Sequence, residues 1–200
     1  MRAILLALIL LTATPAFALT PTETVRARVD EVIQTINRGP RGGPAAAEAR
    51  RLELRRVADG LFDFTEMSRR ALGRHWAGRT EAERQDFVGL FADLLSRAYL
   101  GRIDHYSGEP ITWVRERVDG EWASVDSRLV TAKGSEVPIE YRLRRAGDRW
   151  MVYDVAIEGV SLVGTYRSQF DRIIQTTSFG ELLRRMRDKE RDLTRTSDAR

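Results

Sequence analysis

The spacing of apolar residues changes along the chain from helical to alternating and then back to helical. An amphipathic first helix is predicted by apolar residues that recur every three or four positions, namely Val25, Val29, Ile33 and Ile36. Thr20 or Thr22 is placed to cap its start. Glycine and proline at 39–44 predict a loop, and a second helix is expected from about Ala45 to Ala58.

Two further helices are predicted before the spacing changes. The segment FDFTEMSRRALGRHW contains a short helix with Asp63 or Thr65 as its cap and Gly73 near its end. Thr80 and Glu83 form a capping box. The box opens a helix with a continuous apolar stripe formed by Phe87, Leu90, Phe91, Leu94, Leu95 and Ala98.

Beyond Pro110 the apolar residues alternate with polar ones, which is typical of strands with one buried face. Short turns at 119–120, 133–134 and 147–148 each contain glycine and connect four predicted strands. Pro138 cannot donate to a sheet, so it predicts an edge strand or a bulge. In the last strand, one face is expected to carry Met151, Tyr153, Val155 and Ile157.

A break at Gly159 turns this strand directly into a helix. The apolar stripe of that helix consists of Leu162, Val163, Tyr166, Phe170, Ile173 and Ile174. A last helix has Phe179, Leu182, Leu183 and Met186 on one side, and residues 187–200 form a charged tail that is expected to fray. The predicted class is α+β, with a four-stranded antiparallel meander and helices packed on one face. The apolar sheet and helix faces meet at the Gly159 corner, as either a closed core or an apolar pocket.

The N-terminal residues predict export from the cytoplasm. Residues 1–18 have a basic start, an apolar run and the small-residue pattern Ala16-Phe17-Ala18, as in a secretory signal peptide. The apolar run is shorter than the ~20 residues that span a bilayer, and no cysteine follows it that could carry a lipid. We therefore expect one domain at 19–186 in a bacterial periplasm.

Composition narrows the possible classes of partner. The chain has no cysteine, so the fold must hold without disulfides in an oxidising compartment. The formal net charge is +4, but acidic and basic residues are interspersed. A nucleic-acid-binding protein usually concentrates its basic residues on one face, so nucleic acid is not an expected partner.

Signals for catalysis or metal binding are weak. Ser161 follows a strand and precedes a helix, but the surrounding sequence lacks the second glycine of a nucleophile elbow, and no histidine lies downstream. Ser161 is better explained as a helix cap, and Asp154 as the acceptor of a structural hydrogen bond. His75 and His105 lack metal-ligand spacing. No catalytic residue, metal site or cofactor is predicted.

Four segments carry a family resemblance, at 62–76, 80–106, 137–145 and 150–170, the last reading WMVYDVAIEGVSLVGTYRSQF. Together they resemble the MlaC-like periplasmic phospholipid-binding proteins, also called the toluene-tolerance family. The resemblance implies a lipid carrier rather than an enzyme. It implies a shuttle between an outer-membrane lipoprotein–porin complex and an inner-membrane ABC transporter with its substrate-binding ring, which supports the lipid asymmetry of the outer membrane.

The resemblance also implies an apolar pocket for two acyl chains between the sheet and the helices. The predicted lining residues are Met67, Leu72, Phe91, Leu94, Val137, Ile139, Tyr141, Val155, Ile157, Val160, Leu162, Val163 and Tyr166. Arg142, Arg144 and Arg167 are candidates for contact with the headgroup or a partner, or for a solvated surface. Two alternatives stay open, a hopanoid or other lipid carrier of the same fold and a periplasmic esterase that uses Ser161.

Overall fold

The computed structural model describes residues 19–38, 43–103, 106 and 108–198. The helices are α1 (Pro21–Arg38), α2 (Pro44–Leu61), α3 (Phe64–Leu72), α4 (Glu81–Ile103), α5 (Leu162–Thr176) and α6 (Phe179–Asp198), with a 3-10 turn at Gly73–His75. The strands are β1 (Ile111–Asp119), β2 (Trp122–Val130), β3 (Glu136–Ala146), β4 (Arg149–Ile157) and β5 (Val160–Ser161). The predicted signal peptide and residues 39–42 of the predicted loop lie outside the described residues.

The strands form one antiparallel sheet in the order β1-β2-β3-β4-β5, which is a meander. Gly120, Gly134 and Gly147 have positive φ angles of 57°, 79° and 61° at the three predicted turns, a conformation that glycine adopts without steric cost. The α+β class and the meander are therefore confirmed. The sheet has one strand more than predicted, because β5 adds two residues beyond the Gly159 corner.

A β-bulge in β4 changes which residues share a face. Leu143 of β3 pairs with Val152, whereas its neighbour Arg142 pairs with Asp154, so Tyr153 is the extra residue. Trp150 and Val152 therefore lie on the same face as Val155 and Ile157. The predicted single face of Met151, Tyr153, Val155 and Ile157 is wrong, because simple alternation does not hold across a bulge.

The prediction for Pro138 is also wrong, because β3 is a central strand. The β3–β4 ladder begins one residue later, at the pair of Ile139 and Ile157. The carbonyl of Pro138 accepts the Glu158 N–H at 2.9 Å. In an antiparallel pair the N–H and C=O groups of one residue point to the same neighbour, so the N–H that Pro138 lacks would point beyond the end of the ladder.

The predicted helix caps explain where several helices begin. Thr20 caps α1, since its Oγ accepts the Glu23 N–H at 3.2 Å. Asp63 caps α3 by accepting the Glu66 N–H at 2.9 Å, and Thr80 caps α4 with Glu83. The second helix extends to Leu61, three residues past its predicted end. The last helix continues to Asp198, through most of the segment that was expected to fray.

Two apolar cores hold these elements together. The helical core comprises Met67, Ala71, Leu72, Phe87, Phe91, Leu95, Val163, Phe170, Phe179, Leu182, Leu183 and Met186. The sheet core comprises Val25, Leu61, Ala123, Val125, Tyr141, Leu143, Trp150 and Val152. Phe62 packs against both cores. It lies beside β4, bridged to Val152, so the two cores meet along the outer edge of this strand.

Candidate lipid-binding site

Five of the predicted lining residues are inside the cores. Met67, Leu72, Phe91 and Val163 are buried in the helical core, and Tyr141 is buried in the sheet core. The ring of Phe91 lies 5.2 Å from that of Tyr166 and 5.4 Å from that of Phe170, both edge-on. In this arrangement the space around Phe91 is filled by other side chains.

The other predicted lining residues lie at the surfaces of the two cores. Leu94, Leu162 and Tyr166 are partly buried against the helical core. Ile139 and Val155 are partly buried against the sheet core. Val137 is half-buried, and Ile157 and Val160 are exposed. The structure therefore divides the predicted set between the two cores. Its two exposed members, Ile157 and Val160, lie at the end of β4 and in β5.

One row of cross-strand neighbours connects the sheet core with this exposed end. It runs from Trp113 through Ser127, Ile139 and Ile157 to Val160, and we call these five residues the sheet row. Trp113 at its start is half-buried. From Ser127 onward exposure increases: Ser127 is 2% exposed, Ile139 is half-buried, Ile157 is 40% exposed and Val160 is 64% exposed. Apolar side chains at the last two positions are thus open to contact from outside the fold.

Polar groups are also present on this face of the sheet. Burial raises the pKa of the Tyr141 hydroxyl, and a hydrogen bond with Ser127 offsets part of this by lowering the pKa. Pairwise hydrogen bonding is what allows such hydroxyl groups to be buried at modest cost. Trp113 and Ser127 were missed by the sequence analysis. A two-residue turn at 133–134 would place Ser127 opposite Glu140, whereas the observed connection spans residues 131–135 and pairs Ser127 with Ile139. The bulge between Trp113 and Arg115 likewise hides the β1 register.

Two of the three candidate arginines, Arg142 and Arg144, form ion pairs within the protein. Arg142 donates to Glu140 and to Asp154, and the hydrogen bond with Glu140 raises the pKa of Arg142. Arg144 donates to Asp63 at 2.6 Å. Arg167 lies over Gly73 at the C-terminal end of α3, where a cation is favoured by the helix dipole.

Ser161 has the structural role that the sequence predicted. Its Oγ accepts the Gly164 N–H at 2.9 Å as the cap of α5. The same hydroxyl donates to Asp154 at 2.6 Å. Asp154 is 4% exposed, and it also accepts the Val163 N–H at 3.0 Å. The expected structural hydrogen bond at Asp154 is therefore confirmed.

Other potential sites were sought in the described part of the chain. There, no three histidine, cysteine or acidic side chains are close enough together to hold a metal ion. His75 is paired with Asp171 at 2.8 Å, and His105 lies outside the described residues. A cavity of about 290 Å³ lies on the polar face of the sheet, where Arg115, Arg128 and Glu140 contribute to its wall. Ile139 alone of the predicted lining residues borders it.

Comparison with known proteins places this architecture in a family. The model of the MlaC protein family matches residues 26–188. The chain belongs to the MlaC family. A curated relative, the toluene tolerance protein ttg2D of Pseudomonas putida, is 24% identical over 173 residues, which cover 84% of this chain and 80% of the relative.

A solved structure has a similar fold. It is the phospholipid-binding protein from Ralstonia solanacearum, determined in complex with a phospholipid. The match has a TM-score of 0.72 and 26% identity, and it covers 86% of this chain and 97% of that one. Among the described residues of this MlaC-family chain, no helix combines the length and apolar character needed to cross a membrane.

Proposed function

We propose that this MlaC-family protein is a phospholipid carrier that shields two acyl chains along the sheet row and the adjoining surface of the helical core. The observation that carries the proposal is the apolar outer part of the sheet row, Ile139, Ile157 and Val160, whose exposure rises toward Val160. The family membership of the chain and its similarity to a phospholipid-bound protein support it. The phospholipid cargo and the shuttle role are both part of this proposal.

The energetics of moving a lipid through water require such a surface. Each CH₂ group that leaves an apolar environment costs ~0.8 kcal/mol, so a carrier must cover nearly the whole length of both tails. Exposed Ile157 and Val160 are unfavourable in water. Burying them against acyl chains removes that cost for both partners.

The proposed lining is the partly exposed subset of the predicted residues. These are Leu94, Val137, Ile139, Val155, Ile157, Val160, Leu162 and Tyr166. The fully buried residues Met67, Leu72, Phe91, Tyr141 and Val163 support this lining from behind. Tails that reach deeper than the surface must separate the two cores.

The proposed setting is the periplasm, reached through the signal peptide at residues 1–18. There the carrier exchanges lipid with an outer-membrane lipoprotein–porin complex and an inner-membrane ABC transporter with its substrate-binding ring. This exchange maintains lipid asymmetry of the outer membrane. The family membership supports these partners, and binding of purified complexes to the carrier tests each of them.

Identification of bound lipid tests the proposal most simply. Full-length protein is expressed with its N-terminal segment in a Gram-negative host, purified from the periplasm without detergent, and extracted for mass spectrometry. We expect about one diacyl phospholipid per protein. Protein without lipid, in a preparation that also takes up none from phospholipid vesicles, contradicts the proposal.

The same preparation separates the two alternative functions. A rigid polycyclic lipid in place of diacyl lipid, from a host that makes both, identifies a hopanoid carrier. Hydrolysis of acyl esters that Ser161→Ala abolishes identifies an esterase. We expect diacyl lipid. We also expect no hydrolysis, since the Ser161 hydroxyl is already bonded to Asp154 and to the Gly164 N–H.

A further inference from the structure

The corner between β4 and α5 has little apolar packing of its own. β5 is only two residues long and pairs with β4 through Ala156 and Ile157. Val160, the first residue of β5, is 64% exposed. Burial of apolar surface therefore does little to hold Val160 itself in place.

The turn within the corner is also conformationally unfavourable. Glu158 and Gly159 connect β4 to β5 with φ angles of 51° and 79°. A two-residue turn with both angles positive favours asparagine or aspartate followed by glycine. In the described part of the chain, Glu158 is the one residue other than glycine that has a positive φ. The Glu158 N–H of this turn is bonded to the carbonyl of Pro138 at 2.9 Å. The residues that follow the turn, Ser161 and the start of α5, are held by a separate interaction.

Asp154 supplies that interaction by joining three elements. One of its carboxylate oxygens accepts the Ser161 hydroxyl of β5 at 2.6 Å and an Arg142 N–H of β3 at 3.1 Å. Its other oxygen accepts the Val163 N–H of α5 at 3.0 Å. Asp154 is 4% exposed, and hydrogen bonds to a buried charged group are the stronger kind.

The carboxylate also completes the start of α5. The first N–H groups of a helix lack partners within the helix, and the positive end of the helix dipole favours a negative charge nearby. The first turn of α5 contains no acidic residue. Asp154, which comes from the preceding strand, provides this charge, while Ser161 caps the adjacent Gly164 N–H.

We infer that Asp154 is a positioning residue for the lipid site. It acts through Ser161 and the N-terminus of α5 to hold Val160 and Leu162 at the exposed end of the proposed lining, which we call the rim. The inference rests on the proposed function, because it assigns lipid retention to a polar network in addition to the apolar lining. Loss of the network should loosen the rim and accelerate lipid release. The two apolar cores should remain folded.

Asp63 offers a matched control for Asp154. It too is a carboxylate that caps a helix, accepting the Glu66 N–H of α3 at 2.9 Å. It also binds an arginine of β3, since Arg144 donates to it at 2.6 Å. Asp63→Asn therefore makes the same chemical change at a helix start that is distant in sequence from the β5 corner.

The test compares release of a fluorescent phospholipid from loaded wild-type, Asp154→Asn and Asp63→Asn proteins to acceptor vesicles. We expect release from Asp154→Asn to be about tenfold faster or more, because a hydrogen bond to a charged group is lost at the rim. Asp63→Asn should release lipid at the wild-type rate although its thermal midpoint falls similarly. Equal release rates for the two variants would overturn the inference.

Ser161 keeps the inference testable if Asp154→Asn does not fold. Ser161→Ala should accelerate release, and Ser161→Thr should restore it because threonine keeps the hydroxyl. Unchanged release from Ser161→Ala would also overturn the inference.

Hydrogen exchange of residues 158–166 reports on the corner without lipid. Faster exchange in the variants than in wild type, confined to this segment, supports the positioning role, and unchanged exchange contradicts it. Absence of lipid from wild type would contradict the proposed function instead.

Discussion

The helical core and the sheet row use apolar residues in opposite ways. Phe87 is fully buried in the helical core, with its ring 5.5 Å from that of Phe170 and 5.7 Å from that of Phe91. Ile157 and Val160, at the end of the sheet row, are 40% and 64% exposed. The helical-core side chain makes its contacts within the fold, whereas the side chains of Ile157 and Val160 are open to contact with a ligand.

The proposed function therefore assigns stability and lipid binding to different side chains. Interior packing is dense, and the removal of buried groups is costly. A half-exposed residue contributes less to stability, because the solvent already reaches it. Substitutions in the helical core should thus act on unfolding, and substitutions at the end of the sheet row should act on the ligand.

The largest effect is expected in the helical core. Phe87→Ala should lower the free energy of unfolding by ~3–5 kcal/mol, since it removes a fully buried ring and leaves a cavity. Urea denaturation followed by circular dichroism measures this change. Val160→Ala is the control for a rim position and should change stability by less than ~0.5 kcal/mol. Equal losses for both variants would remove the distinction between the two regions.

An intermediate effect is expected where the helices touch the sheet. Glu66 of α3 is 8% exposed and accepts hydrogen bonds from Arg69 and Arg70. The guanidinium of Arg70 in turn lies 4.0 Å from the ring centroid of Tyr153 in β4. Glu66→Gln should destabilise the protein at neutral pH by ~1–3 kcal/mol, because hydrogen bonds to a buried charge are weakened.

The pH dependence of this effect has a definite sign. Burial acts to raise the pKa of Glu66, but the hydrogen bonds from Arg69 and Arg70 outweigh it and hold the pKa below its ordinary value of 4.5. The carboxylate therefore contributes stability above about pH 4.5, and the contribution is lost as the pH falls through the lower folded pKa. The stability difference between wild type and Glu66→Gln should shrink in acid. A difference that grows in acid would contradict this assignment.

The smallest effect on stability is expected at Val160, together with a complete effect on binding. Val160→Glu should change the free energy of unfolding by less than ~0.5 kcal/mol, because the side chain is already exposed. A charge against acyl chains is costly to bury, so the variant should purify without lipid. Val118→Glu, at a 53% exposed strand position in β1, is the control and should retain lipid. Lipid retention by Val160→Glu would place Val160 outside the site.

The features predicted well from the sequence are those determined by short-range chemistry. The caps at Asp63, Thr80 and Ser161 follow from side chains that bond to N–H groups three residues ahead. The glycine turns predict the meander because few residues tolerate positive φ. The lipid-carrier resemblance depends on the ordered motifs, and the family match supports it.

The features that were missed depend on long-range arrangement. The bulge at Tyr153 exchanges the faces of β4, and nothing in an alternating segment indicates where one residue will be skipped. Apolar spacing likewise cannot distinguish Phe91, enclosed by rings, from Val160, exposed at a corner. Burial is a property of the assembled fold, so the sequence predicted one set of pocket residues where the structure has two cores and a sheet row that leads from one of them to the surface.

Photo-crosslinking of a loaded lipid tests the central claim, which is that the acyl chains lie on the sheet row rather than inside the helical core. A phospholipid with a diazirine at the end of one tail is loaded, irradiated and mapped by mass spectrometry. We predict labels on Ile139, Ile157 or Val160 of the sheet row and on Leu162 and Tyr166 of α5. Labels confined to the interior around Phe87, or to the polar cavity beside Arg115, would contradict the account.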